Sequence, residues 1–199
     1  MTTTTSAAAT TVAATVTPFD LSTGLSAARE PLRRTLSAMT SMYADAQAAQ
    51  DWIEREDVLV YEFYDMGVPQ TSGDVAYGTS IVYPGKVGDE YFMTKGHFHT
   101  VLDTGEIYFC LSGEGYMLME NPEGDVQWAQ FVPGQAVYVP RRYAHRSINT
   151  SSSEPLITFF GFPGHAGHDY GTIEQKGFRK LCIDVEGRPT FVDNPKWAG

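Results

Sequence analysis

From residue 58 onward the chain runs in short β-branched and aromatic stretches interrupted by Gly, Pro and Asp about every 8 to 12 residues, the pattern of an all-β sandwich or barrel. The alternation predicts strands over Leu59–Tyr64, Val75–Tyr83, Tyr91–Lys95, Glu106–Leu111, Gly115–Met119, Val126–Phe131, Ala136–Val139, His145–Asn149, Leu156–Phe162, Phe178–Asp184 and Thr190–Val192. Asn121-Pro122-Glu123-Gly124-Asp125 predicts a tight turn between two of them. Ser26 to Asp57 reads differently, rich in Ala, Leu, Met, Arg and Glu. There Leu32, Leu36 and Met39 recur at helical spacing and Pro31 suits a first helical turn, so one or two helices are expected. The organisation expected is a Thr/Ala-rich low-complexity tail over 1–16, an arm with helices over 17–57 and a β domain over 58–199.

Composition narrows the class. A chain of 199 residues supports one core of ordinary size. Its 42% hydrophobic and 13% aromatic content is that of a folded domain, and no window is apolar for long enough to form a membrane-spanning helix. With 14 Lys+Arg against 24 Asp+Glu, the net charge of -10 argues against broad nucleic-acid binding. An anionic small molecule would need a pocket that reverses the sign locally. Cys110 and Cys182 sit far apart in apolar runs without a CxxC pair, which points to buried free thiols. The N-terminus has no basic residue before Arg29 and no strong apolar core, so a cytoplasmic protein is expected.

The chemistry concentrates in a few positions. Gly96-His97-Phe98-His99 places two imidazoles at i and i+2, which on a strand project from one face. Seven residues on, beyond a turn-prone Leu102-Asp103-Thr104-Gly105, Glu106 opens a strand, and His145 lies on a later one. Three neutral imidazoles and a carboxylate suit octahedral iron, manganese or nickel with two open positions, or zinc at lower coordination number. Such a centre carries about one net positive charge, the local sign reversal an acidic protein needs to hold an anion.

Two runs carry a family resemblance. Gly134, Pro140, Arg142, His145 and Asn149 are spaced as in the second cupin motif, with Arg142 in place of the usual Gly. His97, His99, Glu106 and Gly113 resemble the first, with a longer gap before the Glu. Tyr83-Pro84-Gly85-Lys86-Val87-Gly88, Thr94-Lys95-Gly96-His97-Phe98-His99, Glu120-Asn121-Pro122-Glu123-Gly124-Asp125, Ala166-Gly167-His168-Asp169-Tyr170-Gly171-Thr172-Ile173 and Val192-Asp193-Asn194-Pro195-Lys196-Trp197 resemble the cupin-type glucose-6-phosphate isomerases, over roughly residues 18 to 197.

The resemblance implies an all-β double-stranded β-helix, a jelly-roll barrel with an N-terminal helical arm. It implies a homodimer and one divalent metal per subunit on His97, His99, Glu106 and His145, with Fe2+ first and Mn2+, Ni2+ or Zn2+ as alternatives. Glu106 matches the proton carrier, assisted by His168. Tyr61, Ser80, Thr94, Gly96, Tyr108, His168 and Tyr170 match positions that contact the hexose phosphate, and Lys95 is a further candidate. Arg141 and Arg142 add two charges expected near the pocket mouth, and Asp169 is placed to orient His168. A metal-assisted hydride shift remains open beside proton transfer through a cis-enediol. The four ligands alone would also serve a dioxygenase, another sugar isomerase or epimerase, or a non-catalytic sugar-binding cupin.

Overall fold

The computed structural model describes residues 13–197, so most of the low-complexity tail over 1–16 lies outside the described residues. Thirteen strands and two helices follow in order. They are β1 (Leu32–Thr35), α1 (Ala46–Arg55), β2 (Leu59–Asp65), β3 (Val75–Val82), β4 (Lys86–Val87), β5 (Glu90–Tyr91), β6 (Glu106–Ser112), β7 (Gly115–Glu120), β8 (Val126–Phe131), β9 (Ala136–Val139), β10 (Ala144–Asn149), β11 (Leu156–Pro163), α2 (Gly171–Lys176), β12 (Lys180–Val185) and β13 (Arg188–Asp193). The strands form three antiparallel sheets ordered β1-β2-β3-β11-β6-β9, β10-β7-β8 and β13-β12-β5-β4. The all-β expectation holds. No helix among the described residues is long and apolar enough to cross a membrane.

The large sheet and the β10-β7-β8 sheet enclose the core. Met117, Leu156, Val82, Phe131 and Cys110 are buried in one continuous apolar cluster. Period-two alternation sets what faces it: Glu106, Tyr108 and Cys110 of β6 are buried while Ile107 and Phe109 between them are exposed. Cys110 and Cys182 are both buried and unpaired, as expected.

The arm holds one α-helix, within the one or two expected, but not where Pro31, Leu32, Leu36 and Met39 suggested it. Leu32–Thr35 is a strand paired with β2, followed by 3-10 turns at Leu36–Ala38 and Thr40–Met42, and only Ala46–Arg55 is α-helical. Pairing with β2 gives the backbone of 32–35 partners that an isolated helical turn would have to find within itself. Pro31, lacking an N–H, is as well suited to the start of an edge strand as to a first helical turn. Asp45 starts α1 by accepting the Ala48 N–H at 2.9 Å.

The strand expected over Tyr91–Lys95 is also shorter. The ladder ends at Tyr91, and the backbone beyond pairs with β10 through isolated bridges, Met93 to Ile148 and His97 to His145. At Gly96 a φ of +78° bends the chain. An added Cβ would lie 2.7 Å from the buried Phe178 ring and 3.0 Å from the His145 carbonyl. The two-residue β4 and the one-turn-and-a-half α2 carry too little periodicity to be read from sequence.

Candidate metal centre and substrate pocket

Four side chains from three places converge inside the barrel. His97 and His99 follow the Gly96 bend, Glu106 begins β6 and His145 stands near the start of β10. Their ligand atoms all lie within 4.8 Å of one another. Glu106 Oε2 is 3.0 Å from both His99 Nε2 and His145 Nε2. His99, Glu106 and His145 are buried; His97 keeps some exposure toward the pocket, yet its Nε2 is shielded and has no hydrogen-bond partner, as is true of His145 Nε2.

Surrounding hydrogen bonds fix the ring tautomers. Thr104 Oγ1 donates to the Val101 carbonyl at 2.6 Å, so it accepts from His99 Nδ1 at 2.8 Å; the Thr104 carbonyl stands 3.2 Å from the same nitrogen. His145 Nδ1 lies 3.3 Å from the Tyr143 carbonyl, which can only accept. Each ring therefore carries its proton on Nδ1 and turns an Nε2 lone pair toward Glu106, an assignment made from the bonding network.

Electrostatics sharpen the picture. Burial opposes ionisation of Glu106, but positive charge on the neighbouring imidazoles or a proton donated by them, His145 foremost, outweighs it and holds the carboxyl well below the usual range; a cation bound between Nε2 lone pairs and the carboxylate would act in the same direction. Burial, then the crowding of His145 and His168, pushes His97 well down, so that ring resists becoming cationic. An ionised carboxylate facing nitrogens whose protons are committed elsewhere needs a cation between them. Neighbouring ligands of one ion with bonds of about 2.1 Å stand about 3.0 Å apart, as Glu106 Oε2 does from His99 Nε2 and His145 Nε2, and the donor set of three imidazoles and a carboxylate suits a divalent ion.

A pocket of about 560 Å³, including its open mouth, opens onto this cluster. His97, Glu106 and His145 line it, as do Tyr61, Ser80, Thr94, Gly96, Tyr108, His168 and Tyr170; His99 joins the cluster from behind the wall. The seven residues that the resemblance matched to substrate contacts are thus in one place. The His168 ring packs 4.4 Å from that of His97 and 5.8 Å from that of Tyr170. Burial lowers the pKa of His168, and burial pushes the Tyr170 phenol up to about 12, so both are neutral near pH 7. Burial, then the Glu106 charge, raises the Tyr108 phenol well above its usual value.

Four other expected residues make different contacts. Lys95 Nζ pairs with Glu174 of α2 at 2.5 Å instead of lining the pocket. Arg141 and Arg142 turn to Asp103 and Glu123 on the surface, where those carboxylates hold them away from the pocket. Asp169 does not orient His168: its carboxylate accepts from Thr172 N at 3.2 Å and Thr172 Oγ1 at 2.6 Å, tying down the first turn of α2.

Phe63, Asp65, Ser147 and Phe160 also line the pocket but were not singled out from sequence. The signal was available: Phe63 and Asp65 continue the period-two face that Tyr61 begins, and Ser147 shares a face with His145. Thr104, which orients His99, offers no signal outside the folded turn.

The sequence profile of the family described as Glucose-6-phosphate isomerase (GPI) matches residues 33–196. A Pyrococcus furiosus protein named glucose-6-phosphate isomerase is 45% identical over 89% of this chain and 94% of its own length. One of that name from Thermococcus gammatolerans is 44% identical over 90% of this chain and 94% of its length. A bacterial one, from Sinorhizobium medicae, is 39% identical over 89% and 85%. With the barrel, the His/Glu cluster and matches of this extent, the chain belongs to the glucose-6-phosphate isomerase family, in its cupin form.

Proposed function

We propose that this protein is a metal-dependent aldose–ketose isomerase interconverting glucose 6-phosphate and fructose 6-phosphate, with Glu106 as the base that moves the proton between C1 and C2. The observation that carries this reading is the Glu106 carboxylate, buried in the wall of the pocket with its Oε2 3.0 Å from both His99 Nε2 and His145 Nε2. His97, His99, Glu106 and His145 would hold one divalent ion per subunit, with Fe2+ the leading choice. That ion supplies positive charge beside the oxygens of a developing enediolate.

The protein's own groups do the rest. Glu106 accepts a proton from one carbon and returns it to its neighbour through a cis-enediol of the open-chain sugar. His168, neutral and beside His97, is placed to exchange a proton with a sugar oxygen. The hydroxyls of Tyr61, Ser80 and Thr94 and the Gly96 N–H serve the phosphate, while Tyr108 and Tyr170 border the sugar. Phe160 and Phe162 make an apolar wall that limits water around the intermediate. Gly96, bent toward the pocket, lets its backbone N–H approach closely.

The outer face of the large sheet leaves Val75, Ile107, Phe109 and Tyr138 exposed side by side on β3, β6 and β9, which supports a homodimer that covers it. A solution mass of 21.9 kDa across concentrations would oppose the dimer.

Isomerisation of fructose 6-phosphate in D2O, with wild type and Glu106→Gln both loaded with metal, tests the proton-transfer step. Deuterium enters C2 of glucose 6-phosphate with wild type, and the variant loses roughly 10²- to 10⁴-fold in kcat. Turnover without deuterium incorporation, or an active variant, would point to a hydride shift instead.

A further inference from the structure

A hexose phosphate brings a dianion into a pocket whose lining, among the described residues, contains the Glu106 and Asp65 carboxylates and no lysine or arginine. The cation nearest in sequence, Lys95, is paired with Glu174. Arg146 is fully buried on the far side of β10, donating to the Lys95 carbonyl at 2.6 Å and stacked over Phe178. Apart from the charge of an ion held by the His/Glu cluster, a cation that meets the phosphate has to come from another element.

The edge strand β1 provides it. Arg33 and Arg34 are neighbours that point to opposite faces. Arg33 stands opposite Glu62 in the β1–β2 register and pairs with it at 3.0 Å on the face away from the pocket. Arg34 stands opposite Tyr61, a pocket residue, and opposed residues of antiparallel strands share a face. It is half-buried, has no carboxylate partner among the described residues, and donates to the Arg33 carbonyl at 3.4 Å and toward the Tyr61 phenol. Its charge pulls against the larger upward push of burial on the phenol of Tyr61, the residue it faces across the ladder.

We propose that Arg34 is the phosphate-recognition residue of the substrate pocket, its guanidinium meeting the phosphate oxyanion at the edge formed by Tyr61 and Tyr170. The arm strand then supplies a binding group as well as covering the sheet edge. A planar guanidinium with several donors suits a phosphate, and its lack of a competing carboxylate leaves those donors available. This rests on the hexose-phosphate reading above.

The test is steady-state kinetics on metal-loaded wild type, Arg34→Gln and Arg34→Lys, with Arg188→Gln as a control for net charge. Arg34→Gln raises KM for fructose 6-phosphate about tenfold, which is about 1.4 kcal/mol, with kcat within twofold. Arg34→Lys recovers part of the loss, and inhibition by inorganic phosphate weakens in parallel with KM. An unchanged KM and phosphate inhibition in an active Arg34→Gln enzyme, or a fall in kcat alone, would overturn the proposal. If wild type fails to turn over the sugar phosphate, the functional reading fails separately. Calorimetric titration with inorganic phosphate then still decides: equal affinity of wild type and Arg34→Gln overturns the role of Arg34, and weaker binding by the variant supports it.

Discussion

Replacing Thr104 by Val keeps the shape of the residue and removes only its hydroxyl, so it isolates how His99 is held. In the native site His99 Nδ1 donates at 2.8 Å to Thr104 Oγ1, whose own proton is tied to the Val101 carbonyl. The variant retains the carbonyl of residue 104 at 3.2 Å from the ring nitrogen, so the Nδ1 proton keeps a partner, although a longer one. The loss is therefore one buried hydrogen bond out of a shared pair, about 1 to 1.5 kcal/mol. Because that bond selects the tautomer and angle at which Nε2 faces the cluster, the loss appears in metal affinity, at the lower end of the roughly 10- to 100-fold range for partners of ligating histidines. Competition of Mn2+ or Zn2+ against a chelator, read on wild type and Thr104→Val, measures it directly. A folded variant whose metal affinity matches wild type within twofold would refute the tautomer argument.

Other outcomes follow from the same geometry. His168→Asn lowers kcat/KM for fructose 6-phosphate by roughly 10² without changing metal content, the size expected when a proton-exchanging group is removed; an unchanged rate would exclude that role. Gly96→Ala forces a side chain into a backbone at φ +78° and 2.7 Å from Phe178, so it destabilises by about 1 to 3 kcal/mol in urea unfolding and raises KM; a variant as stable as wild type would show that the bend tolerates a Cβ. Glu90, buried and accepting the Ala44 N–H at 2.9 Å, has its pKa raised to about 7 by burial, against the pull of Arg146 and Lys196. An acid whose pKa is higher folded than unfolded holds its proton longer when folded, so its ionisation penalises the fold as pH climbs from about 4.5 to about 7, by about 3 kcal/mol in all. Denaturant melts of Glu90→Gln should lack this decline, and an identical slope in wild type and variant would assign it elsewhere.

The site was more legible than the arm because its chemistry is written in residue type and spacing. The His97, His99 and Glu106 spacing and His145 name four donors that the folded chain brings within 4.8 Å of one another, although they come from separate elements. What spacing could not convey is how the donors are held, since the Thr104 hydroxyl acts only once the turn has closed on His99. The arm misled for a different reason. Leu32, Leu36 and Met39 recur at helical intervals, but the edge of β2 offers Leu32–Thr35 a ladder, and Leu36 and Met39 fall in the 3-10 turns that follow. Local periodicity is a weak guide where a sheet edge competes. Arg34 escaped notice for the same reason, since its relation to Tyr61 exists only in that ladder.

The most direct test of the account is turnover of fructose 6-phosphate to glucose 6-phosphate by chelator-stripped protein, followed by a dehydrogenase-coupled assay as Fe2+, Mn2+, Ni2+ or Zn2+ is titrated in. The account predicts an inactive stripped protein, restoration at one ion per chain, and no restoration in His97→Ala. Full activity in protein shown to be free of metal, or no turnover with any of the four ions, would contradict it.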